Sequence, residues 1–309
     1  MGSGTDQPKI IIICGPTGIG KTSVGIRLAE RFGGEIIGVY SMQIYRYMDI
    51  GTAKPTAAER RRVAHHLIDI VDPDEDFDAV QFSIRARSAI AAVDQQGRRP
   101  FVVGGTGLYI KALLYGLFQS EAVDPAIRSR LKRELDRDGS RVLHERLKQS
   151  DPDTAARLHP NDAYRIMRAL ETLESGGKPL SKLQRGHGFA DQRYNALKIG
   201  LHIERPDLYA RIDRRVDAMM QAGLVDEVRQ LLAMGYSAEL KSMQSIGYRH
   251  TAEFLAGRLP WDECVRTLKR DTRRFAKRQF TWFRADPQVK WYGPDELDEI
   301  IRLVESFLK

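Results

Sequence analysis

Short apolar runs alternate with amphipathic stretches along most of the chain. Four runs have the length and β-branched composition of buried strands, at residues 9–14, 35–39, 101–103 and 197–203. Apolar positions recur at helical spacing in four further stretches, at residues 23–32, 83–93, 207–234 and 261–284. Strands that alternate with helices in this way predict an α/β fold built on a parallel sheet.

A helical stretch interrupts this alternation in the middle of the chain. Residues 127–149 and 162–174 are charged and follow a helical period, and no strand pattern lies between them. The fourth strand run comes after this stretch, so the sheet resumes there. The sequence therefore predicts an all-helical domain, residues 118–193, inserted into a core formed by residues 1–117 and 194–309.

Charge and cysteine content narrow the possible functions. The 309 residues carry 49 Lys and Arg against 41 Asp and Glu, and this formal net charge of +8 favours an anionic partner. With two cysteines, Cys14 and Cys264, the chain is neither a disulfide scaffold nor an all-cysteine zinc protein. No apolar run approaches the roughly 20 residues of a membrane span. No signal peptide is recognisable either, so we expect a cytoplasmic protein without a membrane partner.

A phosphate-binding loop is the most specific motif in the sequence. The pattern G-x-x-x-x-G-K-[ST] is matched by Gly15, Pro16, Thr17, Gly18, Ile19, Gly20, Lys21 and Thr22. A strand run precedes the motif and a helical pattern follows it, which is the context that this loop requires. Its backbone N–H groups bind phosphate oxygens, Lys21 adds a positive charge, and Thr22 can coordinate Mg²⁺. The motif predicts a P-loop NTPase-like core that binds a di- or triphosphate.

The third strand run does not end in the acid that an ATP hydrolase needs. ATPases usually hold magnesium with an apolar strand that ends in Asp, whereas Gly104, Gly105 and Thr106 follow the run at 101–103. A standard ATP hydrolase is therefore disfavoured. Ligands of open parallel sheets bind outside the carboxyl ends of the strands. We therefore expect the phosphate loop, Ser41, Gln43 and Thr106 to line one cleft.

Several motifs together resemble the tRNA dimethylallyltransferases, also called tRNA isopentenyltransferases. Besides the phosphate loop they are SMQIY at 41–45, MDIGTAKP at 48–55, HLID at 66–69, VGGTGLY at 103–109, HPND at 159–162, Arg165 with RALE at 168–171, SIGYR at 245–249, KRQ at 277–279 and TW at 281–282. The resemblance spans about residues 9–292. Eukaryotic members often carry a C-terminal zinc finger, which this sequence lacks, so the resemblance is to the bacterial type.

This resemblance implies a reaction and its participants. The family transfers the dimethylallyl group of dimethylallyl diphosphate to N6 of adenosine 37 in tRNA and releases diphosphate. In this chain the phosphate loop would then hold the allylic diphosphate with Mg²⁺, and the insertion would grip the anticodon stem-loop. One copy suffices to grip one RNA hairpin, so we expect a monomer.

The resemblance also implies the residues of the site. Catalytic roles are expected for Tyr40, Lys21, Thr106 and Arg211, of which Arg211 matches a family arginine that reaches the diphosphate. The metal ligand is expected to be Thr22. Contacts with tRNA are expected from Tyr40, Ser41, Met42, Gln43, Thr106, Arg128, Tyr164, Arg165, Arg168, Gln244, Gly247, Tyr248, Arg249, Arg273, Lys277 and Arg278. Within this set, Tyr248 and Arg249 are expected to be exposed, and Gln43 to offer its amide to a base edge.

One position departs from the family pattern. Members usually have Asp directly before the SMQIY run, and this chain has Tyr40. That Asp is thought to accept the N6 proton, whereas a phenol with a pKa of about 10 is a poor base at neutral pH. Tyr40 is consistent with a weak or inactive member, with an engineered trap, or with a site where another group takes the proton.

A basic helix is predicted near the end of the chain. Seven cations lie between residues 266 and 278, with Asp271 as the one acid, and they are Arg266, Lys269, Arg270, Arg273, Arg274, Lys277 and Arg278. Such an excess of positive charge on one helix favours contact with a nucleic-acid phosphate backbone over a helix face that is merely solvated. A smaller cluster of the same kind, Arg128, Arg130, Lys132 and Arg133, lies in the insertion.

Two alternative functions stay open on the sequence. The phosphate loop would also serve an ATP-dependent phosphotransferase, although the missing acid disfavours it. A tRNA-binding protein that has lost catalysis is the other alternative, and Tyr40 is the argument for it.

Overall fold

The computed structural model describes residues 7–117, 124–188 and 192–309. In chain order its elements are β1 (Lys9–Cys14), α1 (Lys21–Phe32), β2 (Gly34–Val39), α2 (Ala57–Arg62), β3 (His65–His66), α3 (Ala79–Gln95), β4 (Arg99–Gly104), α4 (Gly107–Tyr115), α5 (Pro125–Ser150), α6 (Pro152–Ala155), α7 (Ala163–Gly176), α8 (Leu180–His187), β5 (Asn195–Leu201), α9 (Arg205–Gln221), α10 (Leu224–Ala233), α11 (Tyr248–Leu255), α12 (Trp261–Arg284), β6 (Lys290–Tyr292) and α13 (Leu297–Leu308). In these ranges no helix has the length and apolarity needed to cross a bilayer.

The strands form one parallel sheet in the order β3-β2-β4-β1-β5-β6. The central strand β1 is buried on both faces, as its continuous run of isoleucines predicts. This confirms the predicted α/β class with a P-loop NTPase-like core. Because β1, β2 and β4 are parallel neighbours, the loops that follow them leave from the same edge of the sheet.

Two details of the fold differ from the prediction. The helix expected over residues 207–234 is two helices, α9 and α10, because Gly223 between them has a φ of 98°, which a helix interior does not allow. Strands β3 and β6 were not predicted. They are two and three residues long and lie at the sheet edges, so they are too short to produce a periodic pattern.

The chain divides into two compact units, Met1–Leu114 with Arg193–Lys309, and Tyr115–Gln192. The second unit begins three residues before the start of the predicted insertion, residue 118, and ends one residue before its predicted end, residue 193. Its described helices, α5 to α8, pack around a separate apolar core that includes Leu131, Leu147 and Ile166.

Candidate functional site

The phosphate loop joins the carboxyl end of β1 to the first turn of α1. Gly15 has a φ of 137°, and a Cβ there would lie 2.8 Å from the carbonyl oxygen of Leu201. Gly20, directly before α1, has a φ of 105°. A left-handed backbone of this kind favours glycine. Ile19 is buried in the core, so it anchors the loop and leaves its backbone to face a ligand.

Lys21 and Arg215 place two cations at this loop. The Nζ of Lys21 donates to the carbonyl oxygen of Pro16 at 2.7 Å, and the side chain is almost completely buried. Burial, reinforced by the nearby charge of Arg215, lowers the pKa of Lys21 to about 7. Burial also lowers the pKa of Arg215, which makes no hydrogen bond or ion pair with the rest of the described chain. An anionic ligand would relieve the repulsion between these two groups.

Gln279 of α12 connects the phosphate loop to the loop after β4. Its Oε1 accepts the backbone N–H of Thr17 at 2.8 Å, and its Nε2 donates to the carbonyl oxygen of Gly105 at 2.8 Å. The side chain is buried, and of its two bonds the one to Gly105 is shielded from water while the one to Thr17 is partly buried. A helix from the end of the chain therefore fixes the spacing of two loops that follow separate strands.

The segments after β2 and β4 are also joined to each other. The backbone N–H of Ser41 donates to Oγ1 of Thr106 at 3.2 Å. Tyr40 points its phenol at the phosphate loop, where its oxygen lies 3.5 Å from Oγ1 of Thr22. Burial raises the pKa of Tyr40, against smaller opposing effects of Thr22 and Arg215, so the phenol stays protonated at neutral pH. The phenol thus lies beside the phosphate side of the site.

Gln43 and Ser245 carry buried polar atoms without partners. The Nε2 of Gln43 donates to the carbonyl oxygens of Thr52 and Ala53, at 3.1 and 3.0 Å. Its Oε1 is buried and accepts no hydrogen bond within the described residues, and the same is true of Oγ of Ser245. Unpaired buried polar atoms are unfavourable unless a ligand or water pairs with them.

One cavity of about 600 Å³ brings these groups together. The phosphate loop, the segment after β2, Thr106 and Arg215 line it. The segments 51–53 and 244–247, and one face of α12, line it as well. It has room for a ligand with a phosphate end and for a second molecule opposite. The residues of its wall include Thr17, Gly18, Gly20, Lys21, Thr22, Tyr40, Ser41, Met42, Gln43, Thr106, Gln244, Gly247 and Arg278, all of which the sequence had singled out.

Several predicted site residues lie elsewhere. Arg211 is exposed on α9 and is not part of the cavity wall, and the arginine of α9 that lines the cavity is Arg215, one helical turn later. Tyr248, expected to be exposed, is 0% exposed because its ring packs against Gly51 and its hydroxyl donates to Glu227. Arg249 is exposed as predicted but pairs with Asp271 at 3.2 Å.

The basic helix is more balanced than its sequence suggested. Two of its cations, Lys277 and Arg278, make no ion pair within the described chain, and Arg278 lines the cavity. Each of the other five cations pairs with an acid of α9 or of α12 itself, and two of them share Asp271; the pairs are Arg266–Glu263, Lys269–Asp217, Arg270–Asp271, Arg273–Asp213 and Arg274–Asp271. Arg273, which the sequence pattern left without an acidic partner, is paired, because its guanidinium lies 2.6 Å from Asp213.

The predicted tRNA contacts of the second unit have varied surroundings. Tyr164 is 80% exposed on the first turn of α7. Arg165 pairs weakly with Asp162, at 3.5 Å. Arg128 and Arg168 share the buried carboxylate of Glu171. Part of the positive charge of this unit is therefore already paired.

The sequence prediction missed three residues that shape the site. Arg215 lies four positions after Arg211 on α9, so helical spacing could have indicated it. Gln279 belongs to the KRQ motif at 277–279, but the sequence assigned it no structural or binding role. Glu227, which bonds the segment at 49–51, carried no local signal.

The donor set around Thr22 suits a divalent cation that the ligand itself helps to hold. Among the described residues no group of three His, Cys, Asp or Glu side chains could hold a metal. Mg²⁺ usually keeps several waters and is bound through substrate phosphates together with few protein ligands. One hydroxyl from Thr22, with phosphate oxygens and water, fits that pattern.

Comparison with known proteins points to one family. The IPP transferase model matches residues 43–286, and the isopentenyl transferase model matches residues 8–72. The chain is 54% identical to a tRNA dimethylallyltransferase of Desulfosudis oleivorans over 304 residues, which cover 98% of this chain and 97% of that protein. It is 52% identical to one of Desulfatibacillum aliphaticivorans, over 98% of this chain and 99% of that protein.

Solved structures agree with the sequence comparison. A full-length tRNA isopentenylpyrophosphate transferase of Bacillus halodurans is 40% identical, with a TM-score of 0.73 over 98% of this chain and 97% of that chain. A eukaryotic dimethylallyltransferase described as acting on tRNA is 31% identical, with a TM-score of 0.75 over 89% of this chain and 69% of that chain.

Proposed function

Because this chain belongs to the tRNA dimethylallyltransferase family, we propose that it transfers the dimethylallyl group of dimethylallyl diphosphate to N6 of adenosine 37 in tRNA. It is a prenyltransferase that modifies tRNA. Beyond this class of reaction, we propose dimethylallyl diphosphate as the donor, N6 of the adenine as the target atom, the residue roles given below, and a monomeric, cytoplasmic enzyme. The observation that carries it is the single cavity that joins the phosphate loop to the Ser41–Gln43 side and to the unpaired polar atoms of Gln43 and Ser245.

The phosphate loop supports departure of the diphosphate. Negative charge grows on the leaving group as the bond between its oxygen and C1 of the dimethylallyl group breaks. The phosphate loop, Lys21 and Arg215 line the cavity, and they would surround the position where that charge develops. Lys21 and Arg215 repel each other in the free protein, and binding of the diphosphate between them would offset this repulsion. When bound, Mg²⁺ at Thr22 would supply further positive charge to the phosphate oxygens.

The adenine amine is the attacking group. Its nitrogen forms the new bond to C1 and loses one proton. The hydroxyl of Thr106, fixed by the N–H of Ser41, faces the cavity where the amine would lie. A base in an RNA loop can leave its stack at modest cost. The Oε1 of Gln43, which is buried and has no hydrogen-bond partner among the described residues, would accept an N–H of the base.

Tyr40 affects the proton step. Its phenol is protonated and directed at Thr22, so it does not accept the N6 proton as a carboxylate would. We therefore propose an enzyme with weakened catalysis in which the departing diphosphate takes the proton. Retained tRNA binding without turnover is the second candidate, and Tyr40 is again the observation that favours it.

Recognition of tRNA would involve both units. Lys277 and Arg278, which no acid neutralises within the described chain, support contact with the phosphate backbone, and Tyr164 with Arg165 supports contact of the helical unit with the anticodon stem-loop.

Nucleoside analysis tests the proposal directly. The chain is incubated with unmodified tRNA, dimethylallyl diphosphate and Mg²⁺, and the digested nucleosides are examined by mass spectrometry. We expect N6-isopentenyladenosine from the position next to the anticodon. Tight tRNA binding without product would favour the second candidate. Transfer of a phosphoryl group from ATP without any N6-isopentenyladenosine would favour a phosphotransferase and contradict both.

A further inference from the structure

The carboxylate of Glu227 binds a short segment of the cavity wall. Three consecutive backbone N–H groups, those of Asp49, Ile50 and Gly51, donate to its two oxygens at 2.9, 2.7 and 3.1 Å. The hydroxyl of Tyr248 donates to the same carboxylate at 2.5 Å. Consecutive N–H groups that converge in this way form an anion-binding concavity. Here a side chain of α10 occupies the concavity.

Tyr248 reinforces this attachment from the opposite side. Its ring fills the space beside Gly51, where a Cβ would lie 2.4 Å from the ring. Burial, together with the neighbouring carboxylate of Glu227, raises the pKa of Tyr248, so the phenol remains a donor. The segment is therefore fixed to α10 by hydrogen bonds and to α11 by packing.

The attached segment continues directly into the groups that orient Gln43. The carbonyl oxygens of Thr52 and Ala53 accept both hydrogens of its side-chain amide. These two bonds decide which end of the amide remains free, and the free end is Oε1. Gln43 lines the cavity, and the segment at 49–53 determines that the unpaired end of its amide is an acceptor and not a donor.

We propose that Glu227 is a positioning residue for the target base, acting through the segment at 49–53 on Gln43. The inference rests on the proposed function and deepens it. A fixed acceptor selects a base that presents an N–H, as adenine does with its exocyclic amine, and disfavours a base that presents a carbonyl oxygen at that place. Glu227 itself touches no substrate.

A double-mutant cycle separates this role from a structural one. In Glu227→Gln one oxygen is replaced by an NH₂ group that faces backbone donors, so the segment loosens while the size of the side chain is kept. We expect kcat/KM for tRNA to fall about tenfold, the value of one hydrogen bond to a charged group. The KM for dimethylallyl diphosphate should change less than about twofold on the same scale. In the Gln43→Ala background the same substitution should have little further effect.

The matched control is Asp226→Asn on the preceding position of α10. Asp226 is exposed and pairs with Arg229, so this variant should keep the parent kinetics. Tyr248→Phe is the milder second variant, because it keeps the ring beside Gly51 and removes one of the four hydrogen bonds. It should lower kcat/KM for tRNA in the same direction by about threefold, as expected for one weaker hydrogen bond. It keeps the inference testable if Glu227→Gln fails to fold.

Two results would overturn the inference. Additive effects of Glu227→Gln and Gln43→Ala would mean that Glu227 does not act through Gln43. An equal rise in KM for both substrates would indicate a general structural role. The unmodified chain and its Tyr40→Asp variant are the activity references. If neither forms N6-isopentenyladenosine, the proposed function itself fails and the inference falls with it, whereas product from a reference lets the cycle judge Glu227 alone.

Discussion

Gln279 bonds the backbone of Thr17, a residue 262 positions earlier in the chain, and through its other amide atom it bonds Gly105. This one side chain therefore sets the distance between the phosphate loop and the loop that carries Thr106. The bond to Gly105 is buried, and the bond to Thr17 is partly buried. Through Gln279, α12 therefore helps to fix the shape of the phosphate loop.

Substitution of Gln279 should affect both stability and donor binding. Gln279→Leu leaves the N–H of Thr17 and the carbonyl oxygen of Gly105 unpaired, which should cost about 1–3 kcal/mol of unfolding free energy. Binding of dimethylallyl diphosphate, measured by calorimetry, should weaken about 3- to 10-fold as the loop loses its fixed shape. Gln230→Leu, an exposed change on α10, is the control. Unchanged donor binding in a destabilised Gln279 variant would contradict this role.

Restoring a carboxylate at position 40 should accelerate the chemical step. Tyr40→Asp removes a protonated phenol and supplies a general base, which is typically worth about 10²–10⁴-fold in rate. Single-turnover measurements with preformed complexes separate this step from tRNA binding. Tyr40→Phe removes the phenol without adding a base and should bring no such gain. A Tyr40→Asp variant no faster than the unmodified chain would exclude a general base at this position.

Arg215 and Arg211 should differ sharply when each is replaced by alanine. Arg215→Ala removes a cation that lines the cavity beside Lys21, and loss of one charge-assisted hydrogen bond should weaken diphosphate binding by about 10- to 100-fold. Arg211→Ala changes an exposed side chain on the same helix and should leave donor affinity unaltered. The reverse order of effects in a calorimetric titration would restore the assignment first made from sequence.

Binding to tRNA should depend on salt through Lys277 and Arg278. Together they account for about two phosphate contacts, so replacing both with alanine should reduce the slope of log K against log salt by about 1.4–1.8. Fluorescence titrations at several salt concentrations give this slope. Arg266→Ala is the control, because Arg266 is already paired with Glu263 and should contribute less. If the slope were the same in the double variant and the parent, Lys277 and Arg278 would not contact the phosphate backbone of tRNA.

Asp151 should make the stability of the helical unit sensitive to acid. Its carboxylate accepts the backbone N–H groups of Thr154 and Ser181 at 3.2 and 3.0 Å. Burial alone would raise the pKa of Asp151, but these hydrogen bonds outweigh burial and lower it. The stabilisation is therefore present above the unfolded pKa, near 3.8, and is lost as the pH falls below it.

Asp151→Asn keeps one acceptor and should lower the unfolding free energy at pH 7 by about 1–2 kcal/mol. Urea unfolding of the full chain from pH 7 down to about pH 2.5 should show a difference from the parent that is constant above about pH 4.5 and narrows as the pH falls further. Asp153→Asn, an exposed change two positions later, serves as the comparison. A gap that stayed constant over this range would mean that ionisation of Asp151 does not stabilise the unit.

Features encoded within a few consecutive residues could be predicted from the sequence alone. The isoleucine run at β1, the glycine loop and the helix after it specify strand, turn and helix by local sterics and periodicity. The same local signals predicted the limits of α12, and the motifs identified the family and many residues of the cavity wall.

Contacts between distant segments were decided by the tertiary structure. Whether Tyr248 faces water depends on Gly51 and Glu227, which are 197 and 21 positions away. Two cations of α12, Arg273 and Lys269, looked unpaired because their partners, Asp213 and Asp217, lie on another helix. A sequence pattern records the spacing of residues along one element, whereas charge pairing and burial depend on which elements pack together. The sheet core and the phosphate loop could therefore be predicted from local sequence. The positions of Arg215, Gln279 and Glu227 at or next to the cavity depend on how α9 to α12 pack.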